Sequence, residues 1–117
     1  MQIFLICSVR GVSEEDAAQQ AKYVADLERN GHFVHYPPRD TDQTASGIDI
    51  CRQNFRAIED ADQVHVYYNP ASQGTHFDMG MAFALGKPVF VANAVSYGPG
   101  NSFARMLVEW DAAKTDE

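Results

Sequence analysis

Residues Ile3 to Cys7 form an uninterrupted apolar run, IFLIC, followed at once by the polar turn Ser8-Val9-Arg10-Gly11 and an acidic stretch. A strand that is apolar on both faces must be covered on both sides, the condition of a strand inside a parallel sheet. Parallel neighbours need long crossovers, normally helical, and the chain supplies them. Ser13 opens a helix with Glu14, Glu15 and Asp16 in its first turn, and Ala17, Ala21, Val24 and Leu27 recur at helical spacing until Asn30-Gly31. His32 to Tyr36 reads as a second strand closed by Pro37-Pro38, with a polar loop from Arg39 to Ala45.

Ser46 caps the next helix, where Ile48, Cys51, Phe55 and Ile58 mark the expected core stripe. Gln63 to Tyr68 is the third strand, and a helix carrying Asp78 leads through Gly86-Lys87-Pro88 to the fourth, Pro88 to Ala92. A loop from Tyr97 to Gly100 precedes a last amphipathic segment, Ser102 to Trp110, with Phe103, Met106, Leu107 and Trp110 on one face. Strict βα alternation predicts a single α/β domain over residues 1–117, Rossmann-like (flavodoxin-like), with a four- to five-stranded parallel sheet and helices on both faces.

Composition narrows the partners. At 117 residues and 45% hydrophobic content the chain suits one globular core. A net charge of −7 without a basic cluster argues against a nucleic-acid polymer or an anionic membrane, though a single nucleotide needs only a local positive site. No apolar run approaches the ~20 residues of a membrane span, and Met1-Gln2-Ile3-Phe4 enters a strand without a charged leader, so the expected location is cytoplasmic. Cys7 and Cys51 read as reduced core residues, and His32, His35, His65 and His76 lack ligand spacing, so neither metal nor cofactor is expected.

Ligands of open parallel sheets bind beyond the carboxyl ends of the strands. There Ser8-Val9-Arg10-Gly11 offers a hydroxyl and a guanidinium suited to phosphate. The bland reading is a solvated turn, since Glu14, Glu15 and Asp16 would partly repel an anion. The stretch SQGTHFDMGMAFALGKPVFVAN, Ser72 to Asn93, is the most informative. Its small residues Ser72, Gly74 and Thr75 let a ligand approach the backbone, and the helix start offers unpaired N–H donors. Asp78 has two readings. It is the capping-box partner of an N-cap at Thr75, three residues earlier, or it is a working carboxylate in a pocket.

These residues resemble the nucleoside 2-deoxyribosyltransferase superfamily, and within it the small 2'-deoxynucleoside 5'-phosphate N-hydrolases. Cys7-Ser8-Val9-Arg10-Gly11 is similar to the family's phosphate-binding turn, and Asn54 to Asp62, NFRAIEDAD, to its helix before the third strand. Ser72 to Gly80 resembles the segment in which a catalytic glutamate stands two residues before a glycine, and Ala84-Leu85-Gly86-Lys87-Pro88 continues the match. The resemblance implies catalytic roles for Asp78 and Asn54, and phosphate contacts from Ser8, Arg10, Gly11 and Ser72. It also implies a serine, Ser102, lent by a neighbouring subunit of a homodimer with composite active sites.

Two departures stand out. Asp78 is shorter than glutamate by one methylene, a reach of about 1 Å that can cost about 10²-fold when uncompensated. Asn54 replaces a carboxylate, so it cannot pass a proton to a departing base. The chemistry implied is cleavage of the N-glycosidic bond of a nucleoside 5'-monophosphate, with a carboxylate beside an anomeric carbon of oxocarbenium character. A catalytically silent nucleotide-binding module stays open beside it. So do an N-glycosidase for another substrate and a processor or sensor of a NAD-derived nucleotide.

Overall fold

The computed structural model describes residues 1–114. Four parallel strands, β1 (Gln2–Ile6), β2 (Phe33–His35), β3 (Gln63–Val66) and β4 (Val89–Val91), lie in the order β2-β1-β3-β4. In register, Ile3 pairs with Val34 of β2 and with Gln63 of β3, and Val64 pairs with Val89 of β4. β1 is thus central, which explains its continuous apolar run. Ile3, Leu5 and Cys7 join Val24 and Val34 beneath α1 (Glu14–Arg29). Phe4 and Ile6 face the opposite cluster of Ile58, Val64, Val66, Met79, Val89 and Leu107. That second face is covered by α3 (Gly47–Asp60), α4 (Gln73–Ala84) and α5 (Phe103–Ala113). Burying each large side chain of this kind stabilises the fold by about 1.5–3 kcal/mol.

Local signals explain the helix ends. Ser13, Ser46 and Ser102 accept hydrogen bonds from the backbone N–H three residues on, closing the starts of α1, α3 and α5. Gly86 follows α4 at φ +68°, a left-handed conformation that glycine adopts without steric cost. At the sheet edge, Asp111 of α5 accepts the N–H of Val91 at 3.3 Å, so a helix side chain occupies an otherwise open edge donor. Among the described residues, no helix is long and apolar enough to cross a membrane.

Three expectations need correction. The loop after Pro37-Pro38 begins with a one-turn helix, α2 (Pro37–Asp40), because proline is pre-set for a first helical turn and Asp40 accepts the N–H of Tyr36 at 2.8 Å. The expected core stripe of α3 is largely at the surface: Ile48 is 62% exposed and Phe55 38%, whereas Ile58 is fully buried. The sheet-facing side of α3 runs instead through Asn54 and Ile58, with Ala57 and Ala61 allowing close approach. The N-cap of α4 is Ser72, whose hydroxyl accepts the N–H of Thr75 at 3.1 Å. Thr75 is therefore the third residue of the helix and Asp78 the sixth, in its second turn. Asp78 is not a capping-box partner.

Candidate functional site

The strand order reverses at β1, the switch point where parallel sheets leave a crevice beyond the strand ends. β1 leads out to β2 and the chain then returns to β3 on its other side. A cavity of about 270 Å³ lies there, lined by Ser8 and Gly11 after β1, Asp16 and Gln20 of α1, and Asn69 and Asn93 after β3 and β4. Several side chains in its wall are held by hydrogen bonds. Asn69 donates its amide to Ser8 Oγ at 3.0 Å, and its carbonyl oxygens hold Ala71 N at 3.0 Å and Ser72 N at 3.1 Å. Asn93 clamps Tyr68 by accepting from its N–H at 2.7 Å and donating to its C=O at 2.9 Å. Gln20 donates to the Ser8 carbonyl and accepts from the Tyr36 hydroxyl at 3.2 Å.

Asp78 lies at the other flank of the β1 end. It is 8% exposed, and Asn54 of α3 donates Nδ2–H to its Oδ2 at 3.5 Å. Burial pushes the carboxyl up to about 7, with the Asn54 hydrogen bond pulling the other way. A carboxyl poised there changes charge near neutral pH, where an acid–base or nucleophilic group is useful. Its field reaches Cys7, whose thiol is pushed up to about 12 by burial first and by Asp78 second. Cys7 is thus an inert protonated side chain at neutral pH, packed in the core cluster beneath α1.

The structure pairs some of the residues expected from the sequence, and of them all only Ser8 and Gly11 line the cavity. Asp78 and Asn54 touch, and Ser8 and Ser72 are tied through Asn69. Gly11 lines the cavity with φ +68°. Arg10 is exposed beside it and, among the described residues, makes no hydrogen bond or ion pair. Gly74 is exposed in the first turn of α4, where an added Cβ would meet nothing within 4 Å. Ser102 is exposed and its hydroxyl caps α5 by accepting from Arg105 N. Phe103 next to it packs 5.2 Å from the ring of His76, bringing the starts of α4 and α5 together within one chain. Cys51 is half-buried on the outer side of α3 rather than in the core.

His76, which has no ligand spacing in the sequence, is half-buried and held at both ring nitrogens. Its Nδ1 lies 2.6 Å from the Ser72 carbonyl, which can only accept, and its Nε2 lies 2.8 Å from the Tyr68 hydroxyl. Nδ1 therefore carries the proton and Nε2 accepts in the neutral ring. Thr41 and His35 were missed altogether. Thr41 is buried and donates to Asn54 Oδ1 at 2.7 Å, and His35 Nε2 stands 2.8 Å from the Thr41 hydroxyl. Their only sequence signal was position, at the end of the second strand for His35 and in the polar segment beyond it for Thr41.

The order of the elements, the crevice at the switch point and the buried carboxylate two residues before Gly80 make the comparison with known proteins direct. The profile described as nucleoside 2-deoxyribosyltransferase matches residues 3–103. The chain belongs to this family. The match runs from β1 to the start of α5 and so spans every candidate site residue from Ser8 to Ser102. Among solved structures, the Clostridium botulinum CMP N-glycosidase BcmB superposes with a TM-score of 0.63 at 23% identity, covering 78% of this chain and 70% of that one. That likeness is one of fold. A comparison with curated proteins finds no match.

Proposed function

We propose that this nucleoside 2-deoxyribosyltransferase-family protein cleaves the N-glycosidic bond of a nucleoside 5'-monophosphate. The observation that carries the reading is the buried Asp78 carboxyl, raised to about 7 and held by Asn54 at the carboxyl end of the central strand. Breaking the base–sugar bond develops positive charge at the anomeric carbon. A carboxylate in a site of low dielectric stabilises that charge, or attacks to form a glycosyl-enzyme that water then opens. A raised proton affinity also strengthens such a nucleophile. The polar crevice of Ser8, Gly11 and Asn69, with Ser72 tied to Asn69 and Arg10 at its rim, suits the phosphate, whose binding would orient the sugar towards Asp78. The structural neighbour's name, CMP N-glycosidase, fits a substrate of this class.

The unit proposed is the whole chain as one domain, working as a homodimer. Ile48 and Phe55 of α3 and Phe77 of α4 are exposed large apolar groups, and α3 and α4 border a shallow groove of about 420 Å³. An apolar face of this kind next to a site suits a subunit contact. The start of α5, with Ser102, is the element a neighbouring subunit would lend. A second reading, a nucleotide-binding module without turnover, is favoured by Asn54, an amide that cannot give up a proton to the leaving base.

A panel of nucleoside and deoxynucleoside 5'-monophosphates, scored for free base by chromatography, tests the reading. Base release from at least one monophosphate, faster than from its nucleoside, is the expected result. Binding without release would leave only the silent module.

A further inference from the structure

A line of hydrogen bonds runs from the sheet edge to Asp78. His35 Nε2 is 2.8 Å from Thr41 Oγ1, Thr41 Oγ1 is 2.7 Å from Asn54 Oδ1, and Asn54 Nδ2 is 3.5 Å from Asp78 Oδ2. Thr41, Asn54 and Asp78 are 4%, 7% and 8% exposed, so water cannot readily replace any of these partners. The His35 ring is stacked on Phe4 with centroids 5.2 Å apart and planes 9° from parallel, which fixes its orientation.

The direction of the line follows from the donor inventory. Asn54 can face Asp78 with its NH2 or, after an amide flip, with its carbonyl. The NH2 satisfies an ionised carboxylate. The flipped carbonyl would repel that charge and suit only a protonated acid. Thr41 has one hydroxyl proton. Spending it on Asn54 Oδ1 requires that the hydroxyl oxygen receive a proton from His35 Nε2–H. In the flipped arrangement Thr41 would accept from Asn54, and its own proton would go to a deprotonated Nε2 or find no partner in the line. The tautomer of His35 and the orientation of Asn54 are therefore coupled through one hydroxyl.

We propose that Thr41, oriented by His35, is a positioning residue that holds the amide of Asn54 with its NH2 towards Asp78, so that the site presents a donor to the ionised carboxylate. The functional consequence rests on Asp78 being the working carboxylate, but the hydrogen-bond line does not. The groups facing Asp78 are Asn54 of α3 and Cys7 after β1, while Asp40 and Arg39 of α2 face His35 with opposing effects. Both signs of charge act on His35, and an imidazolium would still donate from Nε2, so the line keeps its direction at low pH.

The test is a ¹³C carboxyl titration of Asp78 in the full chain, for the wild type, Thr41→Val and Thr41→Ser. Valine keeps the shape of threonine without the hydroxyl, and serine keeps the hydroxyl. Thr41→Val is expected to move the Asp78 midpoint upward by about half a pH unit or more, since the carboxylate loses a fixed donor. Thr41→Ser is expected to titrate like the wild type. An unchanged midpoint in Thr41→Val, or an equal shift in Thr41→Ser, overturns the proposal.

The wild type provides an independent check should the valine variant not fold. Nuclear Overhauser contacts from the Asn54 side-chain NH2 are expected to be stronger to the protons of α4 around Asp78 than to the Thr41 methyl. The reverse pattern would also overturn the proposal. None of these readouts needs turnover, so a protein that cleaves no nucleotide would defeat the function proposed above and leave this inference to stand or fall on its own.

Discussion

Asn54 donates its side-chain amide to the carboxyl of Asp78 across 3.5 Å, joining α3 to α4 inside the protein at the carboxyl end of the central strand. The pair couples an ionisable group to one that cannot ionise, and the behaviour of the site with pH follows from that.

Folding stability should depend on Asp78. Burial raises its folded-state pKa to about 7, whereas the unfolded chain releases the proton near the ordinary value of 3.8. The folded state therefore binds the extra proton between these values. The contribution of this group is full below about pH 4 and is lost as pH rises through about 7. Asp78→Asn removes the ionisation. It should unfold at higher urea than the wild type at pH 8, by about 2–4 kcal/mol, with the advantage shrinking towards pH 4.5. An equal difference at both pH values would show that the carboxyl is not raised.

Replacing the neutral partner should alter the titration of the site. Asn54→Asp sets a second carboxyl beside the first, and like charges at that range share a proton. The pair should titrate with an upper apparent midpoint above 7, read by ¹³C NMR, and with lower stability at pH 8 than the wild type. Two independent midpoints near 4 would contradict the contact between these side chains.

Arg10 is expected to bind phosphate from the rim of the crevice. Arg10→Ala should weaken binding of a nucleoside monophosphate by about 1.5–3 kcal/mol and leave binding of the nucleoside almost unchanged, as calorimetry can show. Because Arg10 is exposed, the melting temperature should hardly move. Equal losses for both ligands would remove the phosphate role.

The outer face of α3 is expected to meet a second copy of the chain. Light scattering at tens of micromolar should give twice the 13.0 kDa chain mass. Phe55→Glu, which puts a charge on that face, should give the single-chain mass without unfolding the domain. A 13.0 kDa species from the wild type would exclude the homodimer.

The parallel sheet was legible because Ile3 to Cys7 is buried on both faces and so carries no alternation to misread. The crevice was legible because the polar turns after β1 and β3 can converge only at a switch point. What misled was amphipathicity. The Ile48, Cys51 and Phe55 stripe has the period of a core face, and period alone cannot tell a face turned to the sheet from one turned outward. The cap of α4 was misplaced because Ser72 and Thr75 are both good N-caps, and only the backbone selects between them. Thr41 and His35 were invisible because their role lies in contacts across thirteen residues and six residues of chain, with no motif to mark them.

The most direct test of Asp78 as the working carboxylate is the rate of base release from the best monophosphate by wild-type protein and by Asp78→Asn, each followed from pH 5 to 9. The wild-type rate constant kcat/KM should rise with pH through an apparent pKa near 7, as the buried carboxyl ionises. The asparagine variant should fold, bind the nucleotide and release base at least about 10³-fold more slowly at pH 8 to 9, the scale of loss when a catalytic group is removed, with the gap narrowing towards pH 5 as the wild-type carboxyl takes up its proton. A variant that releases base at the wild-type rate, or a wild-type profile flat through pH 7, would contradict the account.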